Sequence, residues 1–379
     1  MDFRLDEEQQ QIQTMVREFA ESEIKPHVLE WDEAQHFPVD LFKRCGELGM
    51  LGVTIPEAYG GAGLGYVDYV HVVEELAVVE SGFALSVAAH NSLGTGHIYL
   101  GGNEEQRKKW LPKLTSGEWI AAWGLTEPGS GSDASGMCTV AVKDGGEWVL
   151  NGTKNFITNA TYAQISVVLA VTDRNDPKHG ITAFAVEMDR AGIRPGKKEN
   201  KLGMRISDTA ELVMEDCRVP DANVLGKVGY GFIDAMKVLD GGRISIGALS
   251  LGIARGAYEA ARDYAKQRTA FGKPISEFQA IQFMLADMAT EIEAARLLCY
   301  QAAAMKDAGE RTTLQSSMAK LYASEVAVRA TEKGVQIFGG YGFIKDFPAE
   351  KYYRDVKLCT IGEGTSEIQR MVIARNLLG

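Results

Sequence analysis

The sequence is poor in the residues that build metal sites and disulfide frameworks. It has five cysteines and six histidines in 379 residues. The cysteines are widely spaced and no CxxC or HExxH motif occurs, so we expect neither a disulfide framework nor a metal. Positive charge is also in deficit, because 40 basic against 51 acidic residues give a formal net charge of −11. That balance argues against nucleic acid as a partner.

Signals for membranes and targeting are missing as well. No apolar run reaches the roughly 18–20 residues that a membrane helix needs. The start, MDFRLDEEQQ, is acidic and polar and has no signal-peptide or transit character. No GxSxG elbow occurs, so Ser/His/Asp hydrolysis has little support. With 45% hydrophobic and 24% charged residues, we expect a globular cytoplasmic protein without membrane insertion.

The hydrophobic periodicity of the sequence changes twice along the chain, and this predicts three domains. Helical periodicity runs through residues 1–117, short β-branched runs between turn residues fill 118–228, and long Ala-rich amphipathic stretches occupy 229–379. The expected fold class is α+β, with an N-terminal helical domain, a middle antiparallel β barrel or sandwich, and a C-terminal helical bundle. Residues 366–369 fit a capping box, which places the N-cap of the last helix at Ser366.

Three segments are rich in glycine, hydroxyl groups and charge, and each has a chemical and a structural interpretation. The loop 125–133 (LTEPGSGSD) can cradle phosphate, or it is an ordinary loop after a strand. The segment 155–159 (NFITN) offers an aromatic face and a hydroxyl to a planar ligand, or it is plain strand core. The break 268–274 (RTAFGKP) places Arg268 and Lys273 to meet a phosphate, or it is an interhelical turn.

A fourth segment isolates one carboxylate between two glycines, just ahead of a helix. In residues 361–366 (IGEGTS), the glycines let a ligand approach closely. Glu363 can act as a general base if burial raises its pKa. The alternative is an acid that complements the dipole at a helix entry. A basic stretch, 194–205, is either a solvated loop or a surface that steers an anionic ligand.

Taken in order, these segments resemble the acyl-CoA dehydrogenase family of flavoproteins, along essentially the whole chain. The matching motifs are LTEPGSGSD (125–133), LNGTKNFITN (150–159), RTAFGKPI (268–275), QIFGGYGF (336–343) and YRDVKLCTIGEGTSEIQR (353–370). The resemblance implies a C-terminal four-helix domain, non-covalent FAD and a homotetramer built as a dimer of dimers. It implies α,β-dehydrogenation of an acyl-CoA to the 2-enoyl-CoA, with the β hydride passing to flavin N5 and the electrons to electron-transfer flavoprotein.

The resemblance also implies roles for individual residues. Glu363 would remove the α proton, and its backbone N–H, with a ribityl hydroxyl, would bond the thioester oxygen. The implied cofactor contacts are Thr126, Ser132, Phe156, Thr158, Arg268, Phe271, Gln336, Gly339, Gly340, Thr365 and Glu367. The implied substrate contacts are Asn91, Ser132, Asp240, Arg243, Gly362 and Gly364. Gln336, Gly339 and Gly340 would reach the FAD of a neighbouring subunit.

Four positions bear on how this chain differs from other members. Phe156 stands where the family often has Trp, which puts the electron-exit path in doubt but not the cofactor. Gly242 stands where some members carry the base, and this selects Glu363. Asn91 stands where a carboxylate would permit 1,4-dehydrogenation, so its amide favours the 1,2 reaction. Gly362 stands where straight-chain enzymes often have Tyr.

The glycine at position 362 predicts a widened acyl pocket. We therefore expect a short acyl group that is branched or alicyclic, such as a cyclohexane-carboxyl thioester. Alternatively, Gly362 only accommodates a different neighbouring side chain, and the substrate is a straight short chain of the butyryl type. The sequence leaves three other functions open: an acyl-CoA oxidase, an enoyl-CoA reductase and a catalytically silent scaffold.

Overall fold

The N-terminal part of the chain is helical in the computed structural model, which describes residues 4–176 and 179–379. Its helices are α1 (Glu7–Phe19), α2 (Val28–Ala34), α3 (Val39–Glu47), α4 (Tyr66–Val79), α5 (Ser81–Ala88), α6 (Gly96–Gly101) and α7 (Glu104–Thr115). Capping boxes at Asp6 and Asn103 open α1 and α7. A π-helical turn, Ala89–Thr95, joins α5 to α6. Such turns are frequent at functional sites.

An eight-stranded sheet follows the helices. Its strands are β1 (Ala121–Gly124), β2 (Val140–Asp144), β3 (Glu147–Thr158), β4 (Ile165–Val171), β5 (Ile181–Glu187), β6 (Ile193–Lys198), β7 (Thr209–Pro220) and β8 (Val224–Leu225). The order is β6-β7-β3-β2-β4-β5-β8, with β1 beside β4. Most neighbours are antiparallel, as expected, but β1 and β2 run parallel to β4. The chain makes long excursions between these strands, which permits parallel pairing.

Long helices return after the sheet. They are α8 (Gly231–Gln267), α9 (Gln279–Asp307) and α10 (Thr313–Phe338), followed by the short α11 (Ala349–Asp355) and by α12 (Ser366–Leu378). A small antiparallel pair, β9 (Thr269–Ala270) and β10 (Lys273–Pro274), separates α8 from α9. One buried cluster runs from Val16 and Phe42 to Leu249 and Ala327, so the first and last parts of the chain share a hydrophobic core.

The predicted start of the last helix is wrong by one residue. The N-cap is Thr365, whose hydroxyl accepts from the Ile368 N–H at 3.3 Å, and Ser366 is the first helical residue. The reason is that the side chain of Gln369 does not turn back to cap the helix. It points instead to the carbonyls of Glu363 and Gly364.

The described part of the chain has neither a membrane-spanning helix nor a cluster of metal ligands. In residues 4–176 and 179–379, no helix combines the length and apolarity needed to cross a bilayer. Over the same residues, no three His, Cys, Asp or Glu side chains are grouped so as to hold a metal ion. All five cysteines are free thiols, and only Cys138 among them is exposed.

Candidate active site

A sharp reversal between α11 and α12 carries the acidic residue predicted as the base. Two successive residues, Glu363 (φ 53°) and Gly364 (φ 93°), adopt left-handed backbone conformations. That conformation costs a non-glycine residue free energy, and strained residues of this kind cluster at functional sites. The Glu363 Oε2 atom is buried and has no hydrogen-bond partner among the described residues. The fold therefore holds a carboxylate oxygen away from water without satisfying it.

Two buried side chains fix this loop from behind. Lys320, on α10, donates from Nζ to the Gly364 carbonyl at 2.6 Å. Gln369, on α12, donates from Nε2 to the Glu363 and Gly364 carbonyls at 3.2 and 3.1 Å. Neither residue was among the predicted site residues. The sequence carries no signal for either residue, because burial within a helical pattern appears only once the helices are packed. In the structure Lys320 is fully buried, which is rare for a lysine.

The surroundings of Glu363 bring the pKa of its carboxyl group close to neutral pH. Burial raises the pKa of Glu363 to about 7, against the opposing positive charges of Lys320 and Arg243. Arg243 is itself buried and donates from Nη1 to Asp240 Oδ1 at 2.7 Å. The other Asp240 oxygen accepts from the Thr313 hydroxyl at 2.7 Å. A carboxyl group that titrates near pH 7 is suited to general-base catalysis at physiological pH.

Helix α8 passes directly against the carboxylate at a glycine. A Cβ atom added to Gly242 would lie 2.1 Å from Glu363 Oε2 and 3.2 Å from a Leu93 methyl group. Only glycine leaves room for the carboxylate in its present position. Leu93 belongs to the π-helical turn Ala89–Thr95, whose Gly94 packs closely on Ala121 of β1. This turn thus connects the base to the strand that leads into the loop 125–133.

A second group of predicted residues lies on two adjoining segments of the β domain. The Asn155 N–H donates to the Thr126 carbonyl at 2.8 Å, which joins the loop 125–133 to β3. Beneath the loop, the buried Glu127 carboxylate accepts from Lys154 Nζ at 2.7 Å and from the Thr139 N–H at 2.9 Å. Thr126 is half-buried, whereas Ser132 is exposed on the loop.

A register shift in β3 turns one aromatic ring of that group outward. The pairing of β3 with β7 is irregular between Lys154 and Ile157, and Phe156 within it has φ 57°. β-Bulges redirect side chains in this way. Phe156 is 61% exposed, and Thr158 beyond it is half-buried. The structure therefore exposes an aromatic ring beside a half-buried hydroxyl group on this stretch of backbone, while Ile157 between them is buried.

A third group forms a separate surface groove where α8 ends and α10 ends. The Arg268 guanidinium lies 5.5 Å from the centre of the Tyr341 ring. A groove of about 430 Å³ runs between them, lined also by Phe338, Gly339 and Gly340. Gln336 is exposed nearby. Phe271, in the turn between β9 and β10, is 97% exposed with φ 51°.

Asn91 is placed differently from what a substrate contact requires. Its side chain is buried, and both the oxygen and the nitrogen of its amide group are hydrogen-bonded to the backbone. Its Oδ1 accepts from the N–H groups of Gly52 and Val53. Its Nδ2 donates to the Met50 and Val87 carbonyls at 2.9 and 3.0 Å. The amide ties the π-helical turn to the loop after α3, so no hydrogen-bonding capacity is left for a ligand.

The remaining predicted residues lie around the base loop. Gly362 is half-exposed, and an added Cβ would meet only Leu358, at 3.5 Å, which is ordinary van der Waals contact. Packing within the chain therefore does not require glycine at this position. Thr365 caps α12, and Glu367 is exposed in its first turn. Both residues therefore contribute to the start of α12, Thr365 as its N-cap and Glu367 as an acidic residue in its first turn.

The chain folds into helices, then a sheet, then helices again, and it places a buried carboxylate oxygen of Glu363 on a reversal between two glycines. This combination is typical of one class of oxidoreductase. The family models for the N-terminal, middle and C-terminal domains of acyl-CoA dehydrogenase match residues 6–118, 122–217 and 229–378. The chain belongs to the acyl-CoA dehydrogenase family, whose members depend on FAD. The predicted family and fold class are confirmed.

Several individual relatives are similar over nearly their full length. A short-chain-specific acyl-CoA dehydrogenase of Clostridium acetobutylicum is 48% identical over 374 residues, 99% of each chain. Butyryl-CoA dehydrogenase of Megasphaera elsdenii has a solved structure that matches with TM-score 0.98 and 44% identity, covering 100% of both chains. A chain from a solved structure on the electron transferring flavoprotein of Acidaminococcus fermentans matches with TM-score 0.99 and 49% identity, again over 100% of both.

Proposed function

We propose that this protein is an FAD-dependent dehydrogenase of short acyl-CoA thioesters, in which Glu363 removes the α proton. The observation that carries the proposal is the buried and unpartnered Glu363 Oε2 atom, on a carboxyl whose pKa burial raises to about 7. A solvated carboxylate is too weak a base for a proton beside a thioester. Burial strengthens the base, and the ionised form accepts the proton at Oε2.

The same loop supports stabilisation of the negative charge that develops on the thioester oxygen. The backbone N–H of Glu363 donates to no acceptor among the described residues. An N–H group held free beside the base is suited to bond that oxygen as charge builds on it. Lys320 and Gln369 keep the loop rigid from behind, so the N–H and the carboxylate stay in a fixed relation.

The residues predicted to hold FAD fit such a group. Arg268 stacks on Tyr341 and forms no ion pair with the carboxylates of the described ranges, so its charge is available to a pyrophosphate. Phe156 offers an exposed ring for stacking, and the loop 125–133 offers N–H and hydroxyl groups. When bound, FAD supplies the hydride acceptor for the hydrogen that leaves the β carbon. The assignments of Thr126, Ser132, Thr158, Gln336 and residues 339–340 remain part of this proposal.

Large exposed apolar side chains support the proposed assembly. Phe343 is 88% exposed, and its sequence neighbours Tyr341 and Ile344, 43% and 39% exposed, line the groove at Arg268. Exposed apolar side chains grouped in one segment favour contact with a ligand or another chain. We propose a homotetramer in which residues 336–340 of one subunit contact the FAD of its neighbour. Electron-transfer flavoprotein is the proposed acceptor, and a steady output of peroxide at the rate of turnover would instead indicate an oxidase.

The acyl group is proposed to be short, and the pocket to be wide enough for a branch or a ring. The names of the similar dehydrogenases support a short chain. Gly362 supports the extra width, because an added Cβ meets nothing nearer than Leu358 at 3.5 Å. The absence of a neighbour that requires glycine favours a pocket function over accommodation of a bulky neighbour. Straight butyryl-CoA is the alternative substrate.

Gly362→Tyr tests the width of the pocket. The added ring should reduce kcat/KM for isobutyryl-CoA and cyclohexane-carboxyl-CoA by about 10- to 200-fold, as lost space in an apolar pocket does. Butyryl-CoA should be affected less than fivefold or so. Steady-state assays of both proteins with the three thioesters make the comparison. Equal losses for all three, or a natural enzyme that strongly prefers butyryl-CoA, would contradict the wide pocket.

Gly242→Ala tests the position of the base. Because the new methyl group would overlap Glu363 Oε2, the carboxylate has to move. The flexible end of a side chain moves cheaply, so the free energy of unfolding should change by less than about 1 kcal/mol. A displacement of about 1 Å should slow flavin reduction about 100-fold. Gly334→Ala, on α10, is the matched control, since its Cβ meets only Ala257 at 3.7 Å. Equal rates in the two variants would place the working carboxylate elsewhere.

A further inference from the structure

A fully buried lysine lies behind the base loop. Lys320 is in the interior of α10, with no exposed surface. Its ammonium group donates to the Gly364 carbonyl at 2.6 Å and lies within salt-bridge distance of no carboxylate in residues 4–176 and 179–379. Burying a charge without a partner is costly. A methionine or leucine would fill the same space without that cost, so packing alone does not explain the residue.

The groups that face Lys320 leave one candidate for its counter-charge. They are Cys359 on the turn before the loop, Glu363 on the loop, Glu367 at the start of α12 and Arg243 on α8. Burial raises the pKa of Cys359 to about 11, so that thiol is neutral at physiological pH. Glu367 is exposed to water, where its charge is screened.

Arg243 does not change that conclusion. It carries the same sign of charge as Lys320 and is already paired with Asp240. Glu363 is therefore the only one of these four groups that is both acidic and shielded from water. An ionised Glu363 and a protonated Lys320 compensate each other across the loop.

We propose that Lys320 is a positioning residue for Glu363: it fixes the carbonyl of the following residue and supplies the counter-charge that the ionised carboxylate needs. The inference rests on the proposed function for its effect on the reaction rate. Two side chains hold the loop, but only Lys320 carries charge. Gln369 donates to the same Gly364 carbonyl at 3.1 Å and is neutral, so it serves as the matched control.

The direction of the mutual effect follows from the burial of both groups. Burial lowers the pKa of Lys320 to about 8 and raises that of Glu363 to about 7. Between these values both groups carry charge, and each favours the ionised form of the other. Removing the lysine charge should leave Glu363 ionised only at higher pH.

The test is the pH dependence of anaerobic flavin reduction by butyryl-CoA in the FAD-loaded protein. Lys320→Met should lower the maximal rate about 10- to 100-fold and displace the ascending limb of kcat/KM to higher pH by about one unit. Gln369→Leu should lower the rate without displacing the limb. Lys320→Gln, which keeps a donor and loses the charge, should displace the limb, and it carries the test if the Met variant does not fold. Unchanged profiles in both Lys320 variants would overturn the inference.

A second readout does not depend on turnover. The melting temperature of the protein with Glu363 is compared with that of the Glu363→Gln variant between pH 5 and 9. The comparison is made with Lys320 present and again with Lys320→Met or Lys320→Gln. The advantage of Gln over Glu should begin near pH 4.5 in every background, because the unfolded pKa sets its onset. Without the lysine charge, the advantage should keep growing to a higher pH and reach a larger final value. The same final value, reached at the same pH in all backgrounds, would refute the coupling. If the final value increases while no acyl-CoA reduces the flavin, the coupling stands and the proposed function fails.

Discussion

Glu363→Gln is expected to lower the rate of flavin reduction by acyl-CoA about 10⁴-fold, the upper range for loss of a general base. Glutamine keeps the size of the side chain and loses the ability to accept the proton. FAD content and acyl-CoA binding should be retained, because the glutamine side chain has the same size and the proposed FAD contacts are made by other residues. Anaerobic stopped-flow absorbance measures the rate. Glu105→Gln, at an exposed position of α7, is the control and should stay within about twofold of the natural protein.

The same substitution has an expected effect on stability, with a definite sign. The folded-state pKa of about 7 lies above the unfolded value of 4.5, so ionisation of Glu363 costs folding free energy. That cost is absent below pH 4.5, grows between pH 4.5 and 7, and reaches about 3 kcal/mol above pH 7. Glu363→Gln should therefore be more stable than the natural protein at pH 8, by up to that amount, and equally stable at pH 4.5. Melting temperatures without acyl-CoA at the two pH values measure this difference. A destabilised variant at pH 8 would contradict the burial of an ionisable base.

Lys351→Met is expected to destabilise the fold by about 3–5 kcal/mol, the cost of removing one partner of a buried ion pair. Lys351 Nζ lies 2.5 Å from Glu80 Oε1 and 2.5 Å from Asp355 Oδ2, and all three side chains are buried. Burial opposes the ionisation of Asp355, yet the Lys351 charge and the hydrogen bonds that Asp355 accepts keep its pKa below the usual range. Methionine would leave two buried carboxylates without a cation.

This cluster matters for the site because it holds the element that precedes the base loop. Asp355 ends α11 and also accepts from the Ser81 hydroxyl at 2.5 Å and the Met204 N–H at 2.6 Å. It thus ties α11 to α5 and to the loop before β7. Urea denaturation of Lys351→Met measures the loss. Lys345→Met is the control, since Lys345 and its partner Glu33 are each 65% exposed, and it should leave the free energy of unfolding almost unchanged. Similar losses in the two variants would contradict the buried network.

The position of the base is the part of the site that the sequence predicts best. A carboxylate between two glycines ahead of a helix is a local pattern, and the Glu363 Oε2 atom lies buried in such a reversal. Its supports are not local. Lys320 lies 43 positions earlier, in a helix where a single lysine is indistinguishable from a solvated residue until the packing of α10 on α8 and the base loop is known. The same limit applies to Asn91, whose four backbone contacts come from chain segments up to 41 residues away.

The fold class was predictable for a related reason. Helical and strand periodicities are local, and they separate the sheet from the two helical parts correctly. Such patterns do not show which strands pair with each other, so the parallel pairing of β1 and β2 with β4 was not predicted. The predicted N-cap of α12 is wrong by one residue, because the Gln369 side chain hydrogen-bonds to the base loop and not to the start of the helix. The division at residues 117/118 and 228/229 remains our proposal for the domain boundaries.

Anaerobic addition of butyryl-, isobutyryl- and cyclohexane-carboxyl-CoA to the purified FAD-loaded protein tests the central claim most directly. The account predicts that the visible flavin band bleaches stoichiometrically with at least one of these short thioesters. It also predicts that the rate rises with pH through about 7, as Glu363 ionises. A flavin band that stays oxidised with all three thioesters, in a protein that retains its FAD, would contradict the proposed reaction.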